Sequence, residues 1–540
     1  MKAEVKSMKK RFWTASLATA FAASSCLALT SCANYHNKAK SAGTPIKEHN
    51  AAIAVVTGPI DGMDGSDSVS SREEMNTEEY KPIKENSFVK VSDAPLSTFA
   101  ADVDTGSYCN LRRIINEKES LDNVASSIRT EEMINYFDYE VESEDELFSV
   151  QYSVGDCPWN EENKLLVMTM QANSQMNIPS EGNNFVYLID TSGSMDDSDY
   201  DIGKKISLVK KSLMLLAESI GPNDRISIVT YAGDSRTILS GSNNAAEVVR
   251  ALTKLETGGG TNGSGGIEAA YACARKNFIP NGNNRVIIAS DGDMNLGITS
   301  ESGLVDLITR EKESGVFLTV LGFGSGNYSD ANMEAIADAG NGNYFYIDSI
   351  EEAERVLCNK LMQTTVTVAK DVKYQVEFNP AEVYEYRQIG YENRQMSASD
   401  FKDDKKDGGE IGAGAQVTVC YEIVPVKEGQ EQEDNLKYQD AALSDNAGSG
   451  ELCTVSVRYK EPTAEESKQI EYPLLDNGIQ NEKDFHFICG VIEASLVLRN
   501  SDYKGTATYD SAYQLAISGA GEDHYREEFC DLLIKLGASG

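Results

Sequence analysis

Between residues 183 and 360 short apolar runs alternate with amphipathic helical stretches, and this rhythm restricts the fold more than any other feature of the chain. The runs are Phe185–Ile189, Ile226–Tyr231, Val286–Ala289, Phe317–Gly322 and Tyr344–Ile347. They are continuous in apolar character, as strands covered on both faces must be. Between the first two, Ile206, Val209, Leu213, Leu216 and Ile220 recur at spacings of three and four, one stripe of a helix. Ile267, Tyr271, Ala274 and Phe278 repeat the pattern. Alternating strands and helices predict an α/β domain, a parallel-rich sheet with helices on both faces.

The flanks have a different rhythm. Ser97–Val103, Phe148–Val154 and Leu165–Gln171 read as strands before this domain, with short helices over Thr105–Ile115 and Arg129–Phe137. After it, Val372, Tyr374, Val376 and Phe378 alternate with polar residues, and Val417–Val426 and Cys453–Tyr459 also read as strands. Residues 403–415 and 428–450 read as acidic, Gly-rich loops. Neither β-rich flank has enough strands for a good sandwich alone. The two are therefore expected to pair as one β-rich domain into which the α/β domain is inserted. The tail reads as helices over Glu482–Leu498, Tyr509–Ile517 and Glu522–Leu536.

The N-terminus reads as an export signal. Lys2, Lys6, Lys9, Lys10 and Arg11 precede the uncharged stretch Phe12–Leu29. Leu29-Thr30-Ser31-Cys32 resembles a bacterial lipobox, which implies cleavage before Cys32 and a diacylglycerol on its thiol. Cys26 ends a weaker version, and an uncleaved transmembrane helix is the alternative reading. No second apolar run approaches the roughly 18 residues that a spanning helix needs. The expected layout is a signal peptide over 1–31, a disordered acidic tether over 32–90, an N-terminal flanking module over 91–180, the α/β domain over 183–360 and a C-terminal module over 365–537. Eight further cysteines are widely spaced without a CxxC, which leaves one or two disulfides and buried free thiols both open.

Charge and composition exclude several functions. Of the 540 residues, 85 are Asp or Glu and 49 are Lys or Arg, a formal net charge of −36. Such a chain repels phosphate backbones, so nucleic acid is not an expected partner. Four histidines leave almost no material for a Ser-His-Asp relay or a His-rich zinc centre. The Gly-rich stretch 258–266 lacks the Lys-Ser/Thr of a phosphate-binding loop, and no H-E-x-x-H is present.

One constellation carries chemistry. The first strand of the α/β domain runs directly into Asp190-Thr191-Ser192-Gly193-Ser194. Gly258-Gly259-Gly260-Thr261-Asn262 puts a hydroxyl in a turn before a helix, and Ser290-Asp291-Gly292 closes another strand. Loops at the carboxyl ends of the strands of an open α/β sheet line its ligand crevice. Asp190, Ser192, Ser194, Thr261 and Asp291 offer five hard oxygen donors, a set that suits Mg²⁺ or Mn²⁺ better than zinc, with Ca²⁺ as a further candidate. The plainer reading makes Ser192 or Ser194 a helix cap. Asp196, Asp197, Asp199 and Asp201 follow, but an EF-hand frame fails because Ile202 and Leu208 fall at its Gly and Glu positions. They read as a solvated acidic loop, with a second cation site as the alternative, and Asp102-Val103-Asp104-Thr105-Gly106, also cation-like in pattern, reads as a helix cap after a strand.

The D-x-S-x-S run, with Thr261 and Asp291 in order, resembles the metal-ion-dependent adhesion site of von Willebrand factor type A domains. That resemblance implies that the acids act partly through water and that a carboxylate of a partner protein fills an open metal position. It extends beyond the metal loops. Pro95–Phe99, Asp102–Thr105 and Arg129–Phe137, then Ala369–Lys373, Gly390–Arg394, Gly409–Gly414, Ser501–Gly505 and Tyr525-Arg526, are similar to the flanking modules of a group of bacterial lipoproteins, sometimes labelled calcium-activated chloride channel homologues. The expected function is non-enzymatic. A lipid-anchored module on the extracytoplasmic face of the cell membrane binds an acidic group of a protein ligand. The alternative is an envelope accessory protein or enzyme subunit, with a role in transport, channel regulation or hydrolysis, in which the metal domain only docks a partner.

Overall fold

The computed structural model describes residues 83–538 apart from isolated positions and short stretches, among them 102–103, 175–180, 293–296, 325–329, 362–366 and 430–442. The signal peptide, Cys26, Cys32 and all but the end of the expected tether lie outside the described residues. In chain order, β1 (Val89–Lys90) and β2 (Leu96–Ala100) precede the helices Gly106–Glu117 and Thr130–Asn135, then the hairpin of β3 (Phe148–Asp156) and β4 (Lys164–Ala172). The α/β domain begins at β5 (Asn183–Asp190). It continues through a small ribbon of β6 (Ser198–Asp199) and β7 (Gly203–Lys204), then β8 (Arg225–Tyr231), β9 (Ser235–Ser242), β10 (Asn283–Ser290), β11 (Phe317–Phe323) and β12 (Tyr344–Ile347). Beyond it lie β13 (Thr367–Phe378), β14 (Val383–Ile389), β15 (Gly409–Gly412), β16 (Gln416–Pro425), β17 (Glu451–Lys460) and β18 (Ser467–Leu475). The chain closes with helices Glu482–Leu498, Tyr509–Ala520 and His524–Lys535.

The central sheet has the order β12-β11-β10-β5-β8-β9. Its first five strands are parallel, and β9 runs antiparallel to β8 at the edge. The alternation of β5 shows why both faces are covered: Phe185, Tyr187 and Ile189 join one core, Val186 and Leu188 another. Helix Lys205–Glu218 covers the first face with Ile206, Val209, Leu213 and Leu216, and helix Gly263–Lys276 covers the second with Ile267, Ala270, Tyr271 and Ala274. The fold is the α/β architecture expected, with one difference. The edge strand β9 is largely exposed and carries no apolar period, so it has no sequence signature of its own.

The flanking segments do pair. β4 lies antiparallel to β16, with Leu166 opposite Tyr421, Met168 opposite Val419 and Met170 opposite Val417. The sheet β1-β14-β16-β4-β3 faces the sheet β15-β13-β17-β18, to which β2 adds through β13. Phe99, Tyr374, Val376, Phe378, Val455 and Val457 of the second sheet share one core with the inward residues of the first. The α/β domain enters this sandwich after β4 and leaves it at β13. Four strands of the flanks escape the sequence reading: the two-residue β1, β14 at Val383–Ile389, β15 within a stretch read as a loop, and β18 at the sheet edge.

The N-terminal helices do not stand apart. Tyr108, Phe137, Phe487 and Phe529 belong to the same core as Val186 and Leu188. Phe137 meets Phe487 edge-on at 4.7 Å, and Tyr108 stacks on Tyr136 at 3.9 Å. The eight cysteines of the described residues are free, and all but Cys358 are buried, so they pack as small apolar side chains.

Candidate metal centre

Strand register brings the two aspartates together. Ile189 is opposite Ala289 in the β5–β10 ladder, so Asp190 and Ser290 leave the sheet side by side, with Asp291 one residue on. Both carboxylates are fully buried. Asp190 is held from two sides: the Ser192 amide donates to Oδ1 at 2.8 Å and the Ser290 hydroxyl donates to Oδ2 at 3.0 Å. Burial, and then the charge of Asp291, push Asp190 up to about 6.

Backbone bonds join the loop after β5, the turn after β8 and the Gly258–Asn262 turn into one platform. The Thr191 amide and hydroxyl both donate to the Tyr231 carbonyl. The Gly258 amide donates to the Thr191 carbonyl at 2.8 Å, and the Gly193 amide to the Gly259 carbonyl at 3.1 Å. The Asn262 amide reaches the Ala232 carbonyl at 2.7 Å, and between these anchors Thr261 is buried. Gly258 and Gly259 have φ of +150° and +94°, a conformation that other residues adopt at a cost. A Cβ at Gly193 would lie 3.5 Å from the Gly259 carbonyl oxygen, an ordinary contact.

The hydroxyls of Ser192 and Ser194 lie 3.0 Å apart. Ser192 is buried, Ser194 is half-buried and Gly193 is exposed, so the platform has a solvent-facing side. The four-residue turn Gly193–Asp196 follows directly, and the long helix begins only at Lys205, so neither serine caps that helix. Asp196 pairs with Lys204, and much of the acidic loop after it lies outside the described residues.

This set passes a chemical test for a divalent cation. Its donors are all oxygens, and two carboxylates are buried beside one another, with burial and the charge of Asp291 both disfavouring the charged form of Asp190, a situation that an ion between them would relieve. One charged group escaped the sequence reading. The Lys205 ammonium is buried 3.2 Å from Asp291 Oδ2. Its signal was a lysine at the first position of an amphipathic helix, where the helix dipole disfavours a cation.

Two other acidic clusters bring Cys109, Asp348 and Glu352 together, and Asp104, Glu132 and Glu334. Arginines already neutralise both. Arg112 bonds Asp348 at 2.6 Å and Glu352 at 2.9 Å, and Arg355 bonds Glu352 at 3.2 Å. Arg129 bonds Glu132 at 3.1 Å and Glu334 at 2.6 Å, and Arg394 bonds Asp104 at 2.9 Å. The cap expected in this stretch falls at Thr105, and Asp104 has another role. Thr105 occupies the cap position without a side-chain bond, and Asp104 accepts the Tyr344 amide at 2.8 Å.

Comparison with known proteins fits this architecture. Residues 185–293 match the family described as von Willebrand factor type A domain, and residues 74–167 match one described as von Willebrand factor. Residues 363–538 match the family described as uncharacterized protein YfbK, C-terminal. Uncharacterized protein YfbK of Escherichia coli (strain K12) is 40% identical over 473 residues, covering 85% of this chain and 80% of that one. Inter alpha-trypsin inhibitor, heavy chain 4, of Mus musculus is 25% identical over 185 residues, 32% of this chain and 19% of that one. Among solved structures, a von Willebrand factor type A protein from Catenulispora acidiphila aligns with 74% of this chain and 91% of its own, at 16% identity and a TM-score of 0.40.

Proposed function

The chain belongs to the family of YfbK from Escherichia coli and carries a von Willebrand factor type A domain, and from that premise we propose that it is a non-enzymatic, metal-dependent binding module for an acidic group of a protein ligand. Domains of this type typically mediate protein–protein interactions. In this reading Asp190, Ser192, Ser194, Thr261 and Asp291 hold Mg²⁺, or Mn²⁺ or Ca²⁺ in its place. The ion supplies Lewis acidity toward an incoming carboxylate. Asp190 and Asp291 supply the charge that retains it. The hydroxyls of Ser192 and Ser194 bring neutral oxygens from the solvent-facing side. The observation that carries the reading is one pair: two fully buried carboxylates, Asp190 and Asp291, beside a loop that opens to solvent at Gly193 and Ser194.

The same reading anchors the chain through a lipid on Cys32, at the extracytoplasmic face of the cell membrane. Export would set the site facing other envelope or surface proteins. The test of binding is capture of crosslinked partners from intact cells, with Mg²⁺, with a chelator, and with Asp190→Ala. Capture that needs both the ion and Asp190 supports the proposal, and equal capture in the three arms overturns it. The test of the anchor is radiolabelled palmitate incorporation, which Cys32→Ala should abolish.

A further inference from the structure

Lys205 is the first residue of helix Lys205–Glu218, and only 2% of its side chain is exposed. Its ammonium donates to Asp291 Oδ2 at 3.2 Å. The stem that delivers it crosses the end of β11 at Gly324. There φ is +86°, and an added Cβ would lie 2.3 Å from Lys205 Cε. The Tyr346 hydroxyl donates to the Gly324 carbonyl at 2.7 Å and holds that strand end in place. A buried lysine stem lying against a glycine in a positive-φ conformation, aimed at one carboxylate of the platform, is a built feature. Elsewhere in the protein a buried lysine of this kind could simply pair with an aspartate. Here the aspartate is one of the two that face the candidate cation.

The charges of this neighbourhood set its behaviour. Asp190, Asp291 and Lys205 together leave one net negative charge. A divalent ion added to them leaves one net positive charge, in surroundings where little water screens it. Resting on the metal-site reading above, we propose that Lys205 is a fixed counter-charge that weakens the hold on the ion alone and makes tight metal binding depend on a bound carboxylate. Metal and acidic ligand then load together, because the second neutralises the excess charge that the first creates with Lys205. Without the ammonium the loaded platform is neutral, retains its ion unaided and gains little from an anion. Lys205 is thus a specificity-determining residue: it selects anionic ligands and penalises neutral ones.

The test compares Mn²⁺ affinity, read by electron paramagnetic resonance, in the full chain and in Lys205→Met, with and without acetate as the carboxylate probe. Asp190→Ala serves as the control for the site. The proposal expects Lys205→Met to bind Mn²⁺ about tenfold or more tightly than the parent chain, as like charges a few ångströms apart imply. It also expects acetate to raise the affinity of the parent chain and leave that of Lys205→Met nearly unchanged. Lys205→Gln, which keeps a donor toward Asp291, replaces the methionine variant if that one does not fold. Asp190-dependent Mn²⁺ binding that is equal or weaker in the uncharged variants overturns the role of Lys205 and leaves the metal site standing. An equal acetate response in both proteins does the same. Absence of any Asp190-dependent Mn²⁺ binding in the parent chain overturns both.

Discussion

Thr169 and Thr418 share a hydrogen bond, 2.9 Å between two buried hydroxyl oxygens, although 249 positions of chain separate them. Everything between, including the whole α/β domain, is a loop closed by the β4–β16 ladder. The sandwich forms only when distant parts of the chain have met, so its inward residues should be sensitive to truncation.

Met168→Ala, on the inner side of that ladder, is expected to cost about 2–5 kcal/mol. Urea unfolding followed by the fluorescence of Trp159, buried beside Glu422 with its indole donating at 3.3 Å, measures it. A loss below about 1 kcal/mol, the cost of a volume-conserving swap, would contradict the packing described.

Arg394 bonds Asp338 at 2.6 Å in the α/β domain and Asp104 at 2.9 Å in the N-terminal region. Arg394→Met leaves the buried Asp104 without this partner and is expected to destabilise the chain by roughly 3–5 kcal/mol. Asp104→Asn combined with Arg394→Met should recover part of that loss, as a double-mutant cycle in urea would show.

Burial, with Glu392 and Glu132 nearby, pushes Glu131 up to about 7 from an ordinary 4.5. The folded chain keeps this proton to higher pH than the unfolded chain does. The contribution is therefore fully present below about 4.5 and is lost as pH rises to about 7, up to about 3 kcal/mol in all. Glu131→Gln should flatten that part of the stability profile between pH 5 and pH 8. An unchanged slope would remove Glu131 as its source.

Asp190→Asn keeps the acceptor for the Ser192 amide and removes the charge. It is expected to weaken Mn²⁺ binding by at least ~100-fold, as losing a charged, buried ligand implies, while metal-free melting stays the same or rises. Calorimetric titration and a thermal melt of the same sample give both readings.

Reductant should leave the melting temperature unaltered, because the cysteines among the described residues are free thiols packed in cores. A fall of several degrees on adding dithiothreitol would reveal a bond that this arrangement lacks.

The sequence reading is strongest where periodicity and chemistry coincide. Phe185–Ile189 announces a strand by its continuous apolar run and Ile206–Leu216 a helix by its spacing, and Asp190 and Asp291 fall at strand ends because the apolar runs stop there. The reading fails where burial has no local signature. β9 is polar and exposed, and β15 is four residues inside a Gly-rich segment. Lys205 was missed for a related reason: its single charge adjoins an apolar stripe, and only the fold shows that the stem crosses Gly324 toward Asp291. The arginine clusters around Asp104 and Glu352 were illegible because their partners lie in separate modules.

The α/β domain is spliced into the sandwich through both of its ends. A domain hung on one linker swivels, whereas one held at two points keeps its heading relative to the body that holds it. A tug on the Ser192–Ser194 loop would therefore pass into β4 and β13 together, strands of two facing sheets. To let go, the protein would have to shear two hydrogen-bonded ladders at once rather than peel one strand away.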